Sequence, residues 1–219
     1  MGLYSRRFGT PGGRAVLLVH GFASDGWRDW VATGTARDLA LRGFDVTVPD
    51  LRGHGESPPF DDAAQAHAPA QAAELLGLME GEFDVVGYSL GARLAWELPV
   101  LAPERVGRVI LGGLAPVEPF ATVDPDQIGR DGDDPLTSMI PPELATCVRG
   151  LRETPFEPAG WAGATPPVLV AGADDVMTWG IERIVELAGG ARLVRVPGGH
   201  AEALTGAEFR AAIVEVLER

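Results

Sequence analysis

Ser89 stands in the run Gly87-Tyr88-Ser89-Leu90-Gly91. Gly-x-Ser-x-Gly is the spacing with which a strand turns sharply into a helix and lifts a serine hydroxyl above a sheet. Both glycines matter, because a Cβ at either place would clash where the helix folds back over the strand. An alcohol becomes a nucleophile only if a neutral imidazole takes its proton. That imidazole in turn needs a carboxylate to fix its tautomer and stabilise its cation. Of the four histidines, His200, after Pro197-Gly198-Gly199, is the one placed at the end of a late apolar run. Asp174 and Asp175, after Gly172-Ala173, offer the carboxylate. Upstream, His20-Gly21-Phe22-Ala23-Ser24 follows another apolar run. A His-Gly turn there aims backbone amides over the sheet edge. The N–H groups of Phe22 and Leu90 then make the donor pair that a developing oxyanion needs. Such a set performs attack by an alcohol on a carbonyl. His20 itself reads as structural, holding its loop.

The elements between these residues must bring them together. Short β-branched runs at 16–19, 45–48, 83–86, 109–111, 168–171 and 193–196 read as buried strands. Stretches at 31–42, 71–80, 92–101, 181–187 and 207–217 carry helical spacing. This alternation predicts an α/β fold, a mostly parallel central sheet with helices on both faces. Residues 3–8 add an antiparallel edge strand. The candidate side chains then sit at the carboxyl ends of parallel strands, where open α/β sheets place their sites. The chain 1–219 reads as a single domain. Residues 115–167, rich in Pro, Asp and Gly, break the rhythm and carry one helix, about 142–152, with Pro142 at its start. That excursion is too long for a plain loop and reads as a short lid or cap insertion. Its Asp124, Asp126, Asp131, Asp133 and Asp134 read as a solvated acidic face.

Composition removes whole chemistries. The chain has no lysine, so Schiff-base catalysis and the lysine-bearing phosphate loop are excluded. Cys147 is the only cysteine, which rules out an intrachain disulfide and a Cys-rich metal site. No His-Glu-x-x-His pair occurs, and neither a cofactor nor a metal is implied. The net charge of −13 disfavours nucleic acid and anionic substrates. No apolar run is long enough to span a bilayer. The N-terminus lacks an apolar signal core, and Arg6 stands where myristoylation needs Ser or Thr, so a cytoplasmic location is expected.

With these motifs in this order, the sequence resembles the α/β-hydrolase superfamily from the His20-Gly21 turn to the last helix. The run Asp50-Leu51-Arg52-Gly53-His54-Gly55-Glu56-Ser57 is similar to the Asp-x-Arg-Gly-x-Gly-x-Ser loop of its lidded esterase and C–C hydrolase branch. In that branch the loop is structural, which leaves His54 outside catalysis. His67, in a polar stretch before a helix, reads as solvent-exposed. The resemblance implies a Ser89, Asp175, His200 triad with Phe22 and Leu90 as oxyanion donors. The family's Gly-x-x-Asp aligned on Gly172 selects Asp175 over Asp174, with Thr178 where the pattern often has Thr. Branches that take the acid from the preceding strand point instead to Glu118. The chain departs from the family in having no room for a full first strand and a shorter lid.

The resemblance implies a serine hydrolase that cleaves a small, neutral carboxylic ester through an acyl-enzyme. Trp27, Tyr88, Arg93, Met139 and Trp161 are the candidate substrate-binding residues, with Phe120 and Ile140 as further apolar wall. Arg93 lies one helical turn beyond Ser89, so it either grips a substrate carboxylate or pairs with Glu97 at i+4. Tyr-Ser-x-x-x-Arg also resembles the menaquinone-pathway synthases of the superfamily, which eliminate rather than hydrolyse. A small-molecule receptor on the same fold is the alternative outside enzymes. A haloalkane dehalogenase is excluded, since that branch needs Asp where Ser89 stands.

Overall fold

The computed structural model describes residues 2–130 and 135–219, with the side chains of 135 and 136 outside the description. Asp131, Asp133 and Asp134 lie outside the described residues. The described strands are β1 (Ser5–Gly9), β2 (Ala15–Val19), β3 (Asp45–Pro49), β4 (Phe83–Tyr88), β5 (Val106–Gly112), β6 (Val168–Gly172) and β7 (Arg192–Val196). They form one sheet in the order β1-β3-β2-β4-β5-β6-β7. β1 runs antiparallel to β3 at the edge, and the other pairings are parallel.

Alternation along each strand sends side chains to opposite faces, and each face has its own apolar cluster. Leu17, Val19, Val85, Leu111 and Leu169 pack on one side with α2 (Ala68–Leu76), α3 (Leu90–Leu101), α5 (Ala145–Glu153) and α6 (Glu182–Leu187). Val16, Leu18, Val46, Val86, Ile110 and Val170 pack on the other. There they meet α1 (Thr35–Leu41) and α8 (Ala207–Glu218), whose Phe209, Ile213 and Leu217 are buried. The β4-to-α3 turn is therefore held by the most deeply covered part of the sheet.

Several expected elements shift. The stretch 31–42 begins at the last residue of a π-helical turn, Trp27–Val31, and its helix α1 starts only at Thr35, because Gly34 takes a left-handed φ of 83° between them. α2 begins at Ala68, ahead of the expected 71, because Pro69 is accommodated in its first turn, where no N–H is needed. The segment between β5 and β6 holds more than one helix: α4 (Pro135–Met139), a 3-10 turn (Pro142–Leu144) and α5. A further short helix, α7 (His200–Thr205), starts at His200 itself. Asp124 and Asp126 are exposed, and Asp126 pairs with Arg149. Among the described residues no group of His, Cys, Asp and Glu is arranged to hold a metal. Among the same residues no helix is long and apolar enough to cross a membrane.

Candidate active site

Ser89 occupies a sharp turn at the carboxyl end of β4, with a φ of 53° that non-glycine residues rarely adopt. The strain persists because the turn is over-determined. Ser89 N–H donates to the Gly112 carbonyl on β5 at 2.8 Å, and the Ser89 carbonyl accepts from Arg93 N–H at 3.0 Å. A Cβ on Gly87 would overlap the Gly91 backbone, and one on Gly91 would overlap the Val19 carbonyl. Only glycine at both places lets α3 fold back over β4 and β2. Leu90 opens α3, so its N–H is among those with no intrahelical partner.

Asp175 and His200, the candidate acid and base, meet at the neighbouring strand ends. Asp175 follows β6, is buried, and places Oδ2 2.7 Å from His200 Nδ1. Its other oxygen accepts from Met177 N–H at 2.9 Å, and Thr178 Oγ1 donates to its carbonyl, which fixes the turn. Asp174 is exposed, and Glu118 bonds to Phe120 N–H, so neither is the carboxylate on the imidazole. With Nδ1 engaged, Nε2 is the ring nitrogen left to take a proton. Ser89 and His200 line the same cavity, of about 260 Å³. Among the described residues Ser89 Oγ has no hydrogen-bond partner. Such contacts are commonly long without substrate and tighten with it.

Sequence reasoning missed Asp29. This buried carboxylate accepts from Gly21 N–H at 2.8 Å and from Ser24 Oγ at 2.5 Å, and so pins the loop that carries Phe22. Burial raises its pKa, against the pull of those two bonds. A Cβ on Gly21 would touch Ser89 Cβ at 3.4 Å, so this loop runs directly beside the serine. The available signal was an acidic residue two places after Trp27 in a segment that had to cap the loop.

The expected substrate-binding residues separate. Arg93 lines the cavity, but its Nη1 is paired with Glu97, and its guanidinium sits 4.7 Å above the Phe156 ring. Tyr88 does not line the cavity: it is buried with its ring 5.3 Å from the imidazole, and its hydroxyl donates to the His200 carbonyl. Trp27 is 54% exposed and lines no part of the cavity. Trp161 packs edge-on against Trp96 at 4.9 Å, donating to the Thr165 carbonyl instead. Met139 is exposed and lies in an adjoining groove. The cavity walls come from Phe22, Leu114, Phe120, Leu151, Phe156 and Met177; of these Phe120 was anticipated as apolar wall and Phe22 as an oxyanion donor, and the other four were not anticipated. Glu118 also lines it, and burial raises its pKa, eased by Phe120 N–H and the nearby Arg93 charge.

The other histidines each have a partner through at least one ring nitrogen. His20 Nδ1 donates to the Gly21 carbonyl at 2.7 Å while Nε2 accepts from Leu51 N–H at 2.8 Å, and burial lowers its pKa to about 4. His54 is buried 5.3 Å away, with burial and then His20 lowering its pKa to about 4. His67 is half-buried and bonded to Glu153 at 2.7 Å, where free exposure was expected. Asp50 braces the following loop, accepting from Arg6, Gly26 and Glu56.

A family model described as the alpha/beta hydrolase fold matches residues 14–137, more than half of the chain. The chain is 30% identical to Lipase LipV of Mycobacterium tuberculosis over 79% of its own length and 61% of the lipase. It is 35% identical to Epoxide hydrolase A of the same organism over 56% of this chain and 38% of that one. It thus spans less than two thirds of the length of these curated relatives. Among solved structures, a thermophilic esterase from Thermogutta terrifontis superposes with a TM-score of 0.78 at 26% identity, covering 99% of this chain and 93% of the esterase. Strand order, serine turn and family match agree: the chain belongs to the α/β-hydrolase fold family.

Proposed function

We propose that this chain is a serine hydrolase that cleaves a small neutral carboxylic ester, with residues 115–167 as a short cap on a single α/β-hydrolase domain. The observation that carries the reading is that His200, hydrogen-bonded to buried Asp175, lines the same apolar-walled cavity as Ser89. Ser89 Oγ attacks the carbonyl carbon as its proton passes to His200 Nε2. Asp175 stays ionised, holding the imidazole in the tautomer that can accept and then stabilising the imidazolium. The oxyanion is received by the N–H groups of Phe22 and Leu90, each worth about 3–4 kcal/mol to the transition state. Asp29 holds the first of these loops, and Tyr88 holds His200 from below. Nε2 returns its proton to the departing alkoxide, leaving an acyl group on Ser89. Water then loses a proton to Nε2 and attacks the acyl carbon, and the acid leaves as Nε2 returns that proton to Ser89 Oγ.

Relatives include both lipolytic enzymes and epoxide hydrolases, and the nucleophile separates the two chemistries. Serine opening an epoxide would leave an alkyl ether, which has no carbonyl for water to attack. An acyl-serine does. Arg93 Nη1 is paired with Glu97 and its guanidinium lies over Phe156, with Nε left unpartnered among the described residues, and Glu118 lies beside it, so a neutral substrate fits this wall better than a carboxylate. The test is hydrolysis of p-nitrophenyl acetate. Wild-type turnover should fall at least a thousandfold in Ser89→Ala, as removal of a triad nucleophile requires. Equal rates in the two proteins would end the proposal.

A further inference from the structure

A second apolar groove, of about 490 Å³, adjoins the candidate cavity on its open side. Six residues, among them Phe22, Val117, Phe120 and Met177, line both spaces, so the two are continuous. No residue lining the groove carries a charged, amide or hydroxyl side chain. That is unusual on the surface of a chain with 22% charged residues and a net charge of −13. Its rim holds Val117, Met139, Val176, Met177 and Trp179, at 59%, 80%, 60%, 38% and 72% exposure. Those are five of the ten large hydrophobic side chains exposed among the described residues. Contiguous exposed apolar surface of this kind marks a binding site rather than scattered surface hydrophobics.

The geometry points to a hydrocarbon-chain site: an unbranched alkyl chain of the ester, on its acyl or its alcohol side, leaves the cavity between Phe22 and Met177 and lies along this groove. The inference rests on the ester-hydrolase reading and deepens it, from small esters in general to esters bearing a long alkyl chain. Continuity with the serine's cavity makes the occupant part of the substrate, and the absence of charged, amide and hydroxyl side chains makes it hydrocarbon. Each methylene moved from water into such a groove is worth about fourfold in binding.

The experiment measures kcat/KM for p-nitrophenyl acetate, butyrate, octanoate and dodecanoate below their aggregation limits. A parallel series uses butyl, octyl and dodecyl acetates. Wild-type kcat/KM should rise at least tenfold from the shortest to the eight-carbon chain in one of the series. A rise in the first series assigns the groove to the acyl chain, and a rise in the second assigns it to the alcohol. In Trp179→Ser and Met139→Ser the long-to-short ratio should fall at least fivefold. Flat profiles in both series, or ratios unchanged in both variants, overturn the inference, as does a concentration-dependent dimer that Trp179→Ser dissolves. Should no ester be turned over at all, the catalytic reading fails by itself. Calorimetric binding of dodecan-1-ol, weakened at least fivefold in Trp179→Ser, then still supports the groove, and no binding sinks it.

Discussion

At the scale of single residues, the account turns on what one carboxylate does to one ring. Asp175 is buried and divides its oxygens between His200 Nδ1 and Met177 N–H. Asp175→Asn keeps the shape and one acceptor but offers an amide where the ring needs an anion. The expected result is a fall in kcat of about 10³–10⁴-fold with KM little changed, since binding is untouched while the imidazole loses its tautomer and its counter-ion. Steady-state kinetics on p-nitrophenyl acetate checks this, with the circular dichroism spectrum as control for folding. Adjacent Asp174 and Asp175 have the same chemistry in the sequence, and only alignment to a family pattern separated them. The structure separates them by burial, because the turn after Gly172 points one outward and the next beneath the imidazole. Tyr88 shows the opposite error. Its place beside the nucleophile suggested substrate contact, yet a residue just before a strand-to-helix turn faces the sheet's far side, where it supports His200.

At the scale of elements, strands and site loops were legible because each has a strong local signature. A buried parallel strand is a short β-branched run, and the glycine-bounded serine stands between such a run and a stretch of helical spacing, so the β4-to-α3 junction followed from the motif in that context. The Gly87 and Gly91 requirement is met against named backbone atoms of α3 and β2. What stayed illegible has a physical cause in each instance. α4 is five residues long with proline first, too short to display a period. α7 begins at the very histidine that chemistry singled out, and Pro-Gly-Gly before it reads as loop. Trp27 and Trp161 were expected on the cavity because aromatic residues often line pockets. One instead sits on the surface of the π-helical turn, and the other packs on Trp96 at the outer side of α3. Asp29 was missed because its role lies in a hydrogen bond to backbone across eight residues, which no periodicity encodes.

At the scale of the whole molecule, two buried histidines, His20 just after β2 and His54 in the loop after β3, have a protonation that competes with folding. In His54 burial, aided by His20, lowers the pKa to about 4 from an ordinary 6.5. The unfolded chain therefore binds the proton first, and His54's contribution to stability, complete above pH 6.5, is lost as pH falls toward 4. Buried Asp84, raised to about 6, acts with the opposite sign, so the overall profile mixes the two. The difference between wild type and His54→Phe isolates the histidine. Relative to wild type, the variant should gain about 2 kcal/mol on going from pH 7.5 to pH 4.5, read from urea unfolding at both pH values. A difference that does not change with pH would show that His54 carries no such linkage. The same sheet sets Asp175 against His200 and brings His200 to the cavity that Ser89 lines, more than a hundred residues away in sequence, and the triad proposed from that convergence is the centre of the account. Rapid acid quenching during turnover of a p-nitrophenyl ester, followed by peptide mass spectrometry, tests it most directly. The account predicts one acyl group on the peptide containing Ser89, absent in Ser89→Ala and formed far more slowly in His200→Ala. Turnover with the acyl group on another residue, or unchanged acylation without His200, would contradict it.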